Sequence, residues 1–246
     1  MDAPQIEIRD TVDELNLLAA ELLVSAIERA QEARPRAAIA VSGGSTPRRL
    51  YAALGRRPWR ERIEWSRLHV FLVDERFVPH DDDESNVRMI RETLLATSPL
   101  PEANLHEVPF LPGEPEAAAR AYEDELRAFF VNRPRPRFDF MLLGMGSDGH
   151  TASLFPGTDA VHLVDQFVAA TWNPSLQSQR ISLTLPVLNA TASVAFLVAG
   201  ADKIEAVRAV VEERAQVLPA AHVAPDDGEL VWLLDRAAAG LLGRQS

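Results

Sequence analysis

Cysteine is absent from this 246-residue chain. That excludes disulfides and thiolate metal sites and leaves packing and hydrogen bonding to hold the fold. Lysine is almost absent, Lys203 being the only one among 25 basic residues. Any clamp for a phosphate or carboxylate must therefore be built from guanidinium groups or backbone amides. Long apolar runs are missing too, and none approaches the ~20 residues of a membrane-crossing helix. The opening MDAPQIEIRD carries no basic-then-apolar leader, so the expectation is an unexported, cytoplasmic protein with no membrane partner. Positive charge is in deficit. A net charge of −11 opposes broad nucleic-acid binding, which needs clustered cations to displace counterions from phosphates.

What the chain does have is an ordinary hydrophobic content of 47% and enough length to bury a sizeable core, read here as one domain over residues 1–246. Short β-branched runs alternate with longer amphipathic ones, the pattern of βαβ units. The spacing predicts strands over 37–42, 68–73, 138–143, 167–171, 180–185, 194–199 and 230–234. Helices are predicted over 11–33, 47–55, 85–97, 114–131 and 202–214, with a short one at the C-terminal end. The fold class expected is α/β, an open, mostly parallel twisted sheet with helices on both faces. In the first helix Leu15, Leu18, Ala19, Leu22, Leu23 and Ile27 recur at helical spacing, a stripe for the core. Arginines in helical segments, such as Arg29, Arg34, Arg120 and Arg127, read as solvated faces.

Three loops at predicted strand ends hold most of the residues that chemistry can use. The richest is LLGMGSDGHTASLFPG, residues 142–157, where an apolar strand runs into a glycine-rich turn bearing Asp148, His150 and Thr151. Such loops open into the crevice above the carboxyl ends of a parallel sheet. Imidazole titrates near neutral pH, which makes His150 the leading general-base candidate. The second is SGGSTP, residues 42–47, with Pro47 expected at the first helical position behind a Thr46 cap. Its exposed amides and the Ser42, Ser45 and Thr46 hydroxyls suit an anion, although the Gly-Lys-Ser/Thr element of a Walker loop is missing. The third, VDERFVPHDDDESN at 73–86, puts Asp74 and the cation Arg76 at the crevice. The acidic run 81–84 reads as a solvated stretch before a helix capped near Ser85 or Asn86, with a divalent-cation site as the minor alternative.

One competing reading is a dinucleotide site. Gly144, Gly146 and Gly149 match G-x-G-x-x-G, and Asp165 lies at a ribose-binding distance downstream. Against it, Pro156 and Gly157 interrupt the helix that such a fingerprint must open.

Taken together the loops resemble the 6-phosphogluconolactonase family, whose fold, a modified Rossmann-like one, is shared with glucosamine-6-phosphate deaminase. The matching segments are SGGSTP, VDERFVP with the later Ser85-Asn86 pair, LLGMGSDGHTASLFPG, RISLTLPVLNAT at 180–191 and LVWLLDRAAAGLL at 230–242, in order along nearly the whole chain. The resemblance implies hydrolysis of 6-phospho-D-glucono-1,5-lactone to 6-phosphogluconate in the oxidative pentose phosphate pathway. His150 would activate water, and either Asp148 or Asp74 would orient its ring. Backbone amides near the glycine turns would stabilise the oxyanion, at about 3 kcal/mol each. It also implies a phosphate held by Ser42, Gly43, Gly44, Ser45 and Thr46 with Arg180 and Arg76, the small-molecule lactone as the ligand, and no metal or organic cofactor. A monomer or small homo-oligomer is expected. Two alternatives share the fold. A deaminase needs a carboxylate five residues beyond the histidine, where Phe155 stands. A sugar-phosphate-sensing regulator would carry a DNA-binding segment ahead of the domain, where the first predicted helix leaves no room.

Overall fold

The computed structural model describes residues 5–243. The leader reading touches residues 1–4, which lie outside the described residues. Among the described residues ten strands form two sheets: β1 (Gln5–Arg9), β2 (Ala37–Val41), β3 (Leu68–Leu72), β4 (Asp74–Arg76), β5 (Leu105–His106), β6 (Phe140–Leu143), β7 (Val168–Asn173), β8 (Ser178–Leu183), β9 (Ser193–Val198) and β10 (Glu229–Asp235). Seven of them make a parallel sheet in the order β1-β10-β9-β6-β2-β3-β5. Its centre is apolar throughout. Every residue of β2 and β6 is buried, as strands covered on both faces require.

From β2 the chain winds outward through β3 to β5, and from β6 it winds the other way through β9 to β10. The reversal falls between β2 and β6, and a crevice opens there above the carboxyl ends of the strands. Helix α1 (Val12–Ala33) crosses this sheet with Leu15, Ala19, Leu23 and Ile27 buried against it. Its start is fixed by a capping box: Thr11 Oγ1 accepts from the Glu14 amide at 3.2 Å, and Glu14 Oε2 accepts from the Thr11 amide at 3.1 Å. The remaining helices are α2 (Ser45–Leu54), α3 (Asn86–Ile90), α4 (Pro115–Phe129), α5 (Leu185–Ala190) and α6 (Ile204–Val211). Among the described residues, no helix is long and apolar enough to cross a membrane.

Several expectations are corrected. The predicted strands at 167–171 and 180–185 leave the main sheet: β7 and β8 join β4 in a separate antiparallel sheet ordered β4-β8-β7. The sheet is made where β3 is followed after one residue by β4, so the chain that carries Asp74 and Arg76 turns out of the parallel layer. Thr46 is no helix cap. Gly44 occupies that position at φ +107°, a conformation glycine adopts freely, and Pro47 sits at the third helical residue. The predicted 85–97 helix is α3 capped by Ser85, whose Oγ accepts from the Arg88 amide at 3.2 Å, followed by a π-helical turn over Arg91–Leu95. Residues 236–243 form turns rather than a short helix, in a stretch with Gly240 and with Gly243 at φ +73°.

Candidate functional site

Four strand ends converge on one hollow of about 290 Å3, close to the lower size of small-ligand pockets, about 300 Å3. Ser42 to Pro47 come from the end of β2, Asp74 and Arg76 from β4, Leu142 to Gly146 with His150 and Ala152 from β6, and Leu197 to Ala199 from β9. The expected residues Ser42, Gly43, Gly44, Ser45, Thr46, Asp74, Arg76 and His150 all line it. Asp148 and Arg180 do not line it, but each touches a residue that does.

The histidine loop is shaped by its glycines. After β6 the Gly146 amide donates to the His150 carbonyl at 2.9 Å, and Gly149, at φ +77°, donates back to the Gly146 carbonyl at 3.0 Å. This tight turn lets His150 Nδ1 meet Asp148 Oδ1 at 2.6 Å. A Cβ on Gly146 would fall 2.1 Å from His150 Nδ1 and 2.4 Å from Asp148 Oδ1, so only glycine leaves room for the pair. The His150 hydrogen bond holds the Asp148 carboxyl below the usual carboxylate range, against the opposing effect of its partial burial. The Phe155 ring lies against the imidazole, centroids 4.9 Å apart, and is itself buried.

Asp74 is engaged elsewhere. Its Oδ2 accepts from Ser153 Oγ at 2.7 Å, and the Ser153 amide donates to Ser182 Oγ at 3.1 Å, tying the histidine loop to β4 and β8. Of the two carboxylates left open by the sequence, Asp148 is the one in contact with the imidazole. The loop also bears on the dinucleotide reading. No α-helix follows Gly144, Gly146 and Gly149; the chain makes turns and a Thr151–Leu154 bridge instead, so the fingerprint lacks the helix start it depends on.

The cations lie on β4 and β8. Arg76 and Arg180 are directly paired across the strands. Arg180 sits in the middle of β8 rather than opening its strand, is 6% exposed, and among the described residues forms no hydrogen bond or ion pair from its guanidinium. Burial first, and the Arg76 charge second, depress its pKa. Two neighbouring arginines, neither ion-paired among the described residues, make a local field that favours an anion, partly offset by the carboxylates of Asp74, Glu84 and Glu75.

Two lining residues were missed by sequence reasoning as parts of a site. Lys203 is the last residue of a short helical turn, Ala201–Lys203, after β9. Its uniqueness in the chain and its place four residues beyond a predicted strand were the available signals. Asn86 was read only as a helix cap or as half of the Ser85-Asn86 pair, yet it is buried and faces the hollow. The acidic run is dispersed: Asp83 pairs with Arg88 at 2.6 Å, and Asp82 Oδ1 accepts from the Glu84 amide at 2.8 Å. Among the described residues no group of three or more histidine or carboxylate side chains is gathered to hold a metal.

Comparison with known proteins gives a consistent result. Residues 10–232 match the family model described as glucosamine-6-phosphate isomerases/6-phosphogluconolactonase. The chain is 41% identical over 240 residues to 6-phosphogluconolactonase of Synechocystis, covering 96% of this chain and 97% of that one. The crystal structure of 6-phosphogluconolactonase from Leishmania guyanensis superposes with a TM-score of 0.87 at 27% identity, covering both chains completely. A monomeric glucosamine-6-phosphate deaminase shares the fold, with a TM-score of 0.80 at 22% identity over 96% of this chain and 99% of that one.

Proposed function

The chain belongs to the glucosamine-6-phosphate isomerase/6-phosphogluconolactonase family, and we propose a specific division of labour by which it hydrolyses 6-phospho-D-glucono-1,5-lactone to 6-phosphogluconate. The activity is that of its lactonase relatives, a step of the oxidative pentose phosphate pathway. One observation carries the mechanism: His150 lines the hollow with Nδ1 bound to Asp148, and its Nε2 has no partner among the described residues.

With Asp148 as a carboxylate, the neutral ring carries its proton on Nδ1 and presents a lone pair at Nε2. That nitrogen takes a proton from water as the water oxygen attacks C1 of the lactone. Charge collects on the carbonyl oxygen, and its donors would be backbone amides lining the hollow that are not already bonded within the turns, as those of Gly146 and Gly149 are. As the intermediate collapses, the C1 bond to the ring oxygen breaks, and the imidazolium returns its proton to that oxygen. Asp148 stabilises the imidazolium in between.

The phosphate belongs at the other end of the hollow, on the amides and hydroxyls of Ser42–Thr46 with Arg76 and Lys203, and with Arg180 adding charge from beside Arg76. Held there, it positions C1 without entering the reaction. A lactone is already an activated ester, so these groups suffice for the chemistry proposed. The deaminase alternative meets an apolar obstacle, since the buried Phe155 ring occupies the place where the resemblance calls for a carboxylate.

The test is a rapid coupled assay that generates the phospholactone in place, subtracts its spontaneous opening and runs glucosamine 6-phosphate in parallel. Accelerated acid release from the first with no ammonia from the second supports the reading. Ammonia release, or sugar-phosphate binding without turnover of either, overturns it.

A further inference from the structure

Asn86 ties β4 to the Gly43 turn, two parts of the hollow about thirty residues apart in the chain. Its Nδ2 donates to the Asp74 carbonyl at 2.8 Å, and its Oδ1 accepts from the Arg76 guanidinium. Its carboxamide also fills the space beside Gly43, where a Cβ would stand 1.7 Å from Oδ1 and 2.3 Å from Cγ. The backbone of the same pair is pinned by one buried carboxylate. Glu75 Oε1 accepts from the amides of Arg76 and Asn86, each at 2.7 Å, while Oε2 accepts from the Val87 amide at 2.8 Å and from Ser85 Oγ at 3.1 Å.

The chemistry of the partner matters. Among the described residues Arg76 has no carboxylate; its side chain bonds to a neutral amide. An amide fixes the direction of a guanidinium and leaves its charge intact for a ligand, whereas a carboxylate would cancel it. The absence of a Cβ on Gly43 is the complementary half of the arrangement. The turn that offers its amides can approach Asn86 closely enough for amides and guanidinium to face one anion.

We propose that Asn86 is a positioning residue that aims Arg76 at the substrate phosphate and sets the Gly43 turn against it. The proposal rests on the phosphate placement given above. It predicts a defect confined to phosphate-dependent binding.

Asn86→Asp should raise KM for the phospholactone about tenfold or more while kcat stays within about threefold, the signature of lost uniform binding. Turnover of unphosphorylated glucono-1,5-lactone by the same variant should fall by no more than about threefold. Gly43→Ala, which displaces the carboxamide without altering a polar group, should raise the phospholactone KM similarly. In an Asn86→Ala background Gly43→Ala should add less than about twofold, because the atoms it strikes are gone. Thermal unfolding establishes which variants are folded, and if Asn86→Asp is not, the Gly43 and Asn86→Ala cycle decides. Equal losses on both lactones, an unchanged phospholactone KM, or independent effects of Gly43→Ala and Asn86→Ala overturn the proposal. Arg76→Ala measured alongside separates the two levels. If it raises KM and Asn86→Asp does not, the positioning role alone fails; if neither does, the phosphate placement fails and takes the positioning role with it.

Discussion

Arg62 and Arg180 are the same residue type in opposite circumstances. Arg62, beside α1, is surrounded by acceptors: Nε and Nη2 reach Glu28 at 2.8 and 2.6 Å, and Nη1 reaches Glu21 at 2.8 Å. Both glutamates are held below the usual carboxylate range by those bonds, and the arginine's own affinity for its proton rises. Arg180, in the small sheet, is more deeply buried and forms no hydrogen bond or ion pair from its guanidinium among the described residues; its direct cross-strand partner is another arginine, and Asp74, Glu84 and Glu75 act on it only through their field. Charge that is answered within the protein fastens surfaces together. Charge that is buried without a bonded partner is held ready for something arriving from outside. His150 belongs with Arg180 in this respect, since one ring nitrogen is bound and the other is open.

The contrast can be broken at its strongest point first. His150→Ala should cut phospholactone turnover by about 10²-fold or more, as loss of a general base does, with thermal unfolding unchanged. Near-normal turnover above the spontaneous rate would remove the open nitrogen from the mechanism. Next, Arg180→Ala should raise KM about tenfold or more with kcat little altered, whereas Arg62→Ala should leave KM alone and cost on the order of 1 kcal/mol of stability. A KM effect from Arg62, or none from Arg180, would erase the distinction between charge with a bonded partner and charge without one.

Ligand-linked stability sharpens the same point. Inorganic phosphate at about 100 times its Kd should stabilise the protein by about 2.7 kcal/mol, a rise of about 5–10 °C in Tm for a chain of this size. Arg180→Ala should shrink that rise. The smallest effect is acid stability. Because the folded-state pKa of Asp148 is lowered from 3.8, its contribution is present above the ordinary carboxyl range and is lost as pH falls through the lowered value. The difference in Tm between the protein and Asp148→Asn should therefore shrink as pH falls below about 3.8. A gap that persists in acid would show that the His150 contact does not set this carboxyl.

How much of this was readable in the chain depends on how local each signal is. The strands β2, β3, β6, β9 and β10 announce themselves as buried apolar runs, and the loops that follow β2, β3 and β6 carry the residues that line the hollow. β7 and β8 were visible as strands, but period-two patterning says nothing about which sheet a strand joins. β4 and β5, at three and two residues, are too short to leave a pattern, and β1 offers only two apolar residues, Ile6 and Ile8, both exposed. The choice between Asp74 and Asp148 depended on a turn closing over Gly146, a steric fact that composition does not carry. Asn86 was legible as a neighbour of a helix cap, while its second use, against Gly43 and Arg76, exists only once two distant loops meet.

The position of β10 between β1 and β9 has a consequence for how such a molecule is made. Gln5 pairs with Val231 and Arg9 with Asp235, so the edge begun by the earliest described residues waits for a partner more than two hundred residues behind it. During synthesis the first strand emerges long before its neighbour exists, and α1 must hold its apolar stripe against an unfinished sheet. Ribosome-bound nascent chains lacking β10 should therefore be open to proteases at the first strand and helix, and closure should come late, in one step, as the final strand slides between its two neighbours.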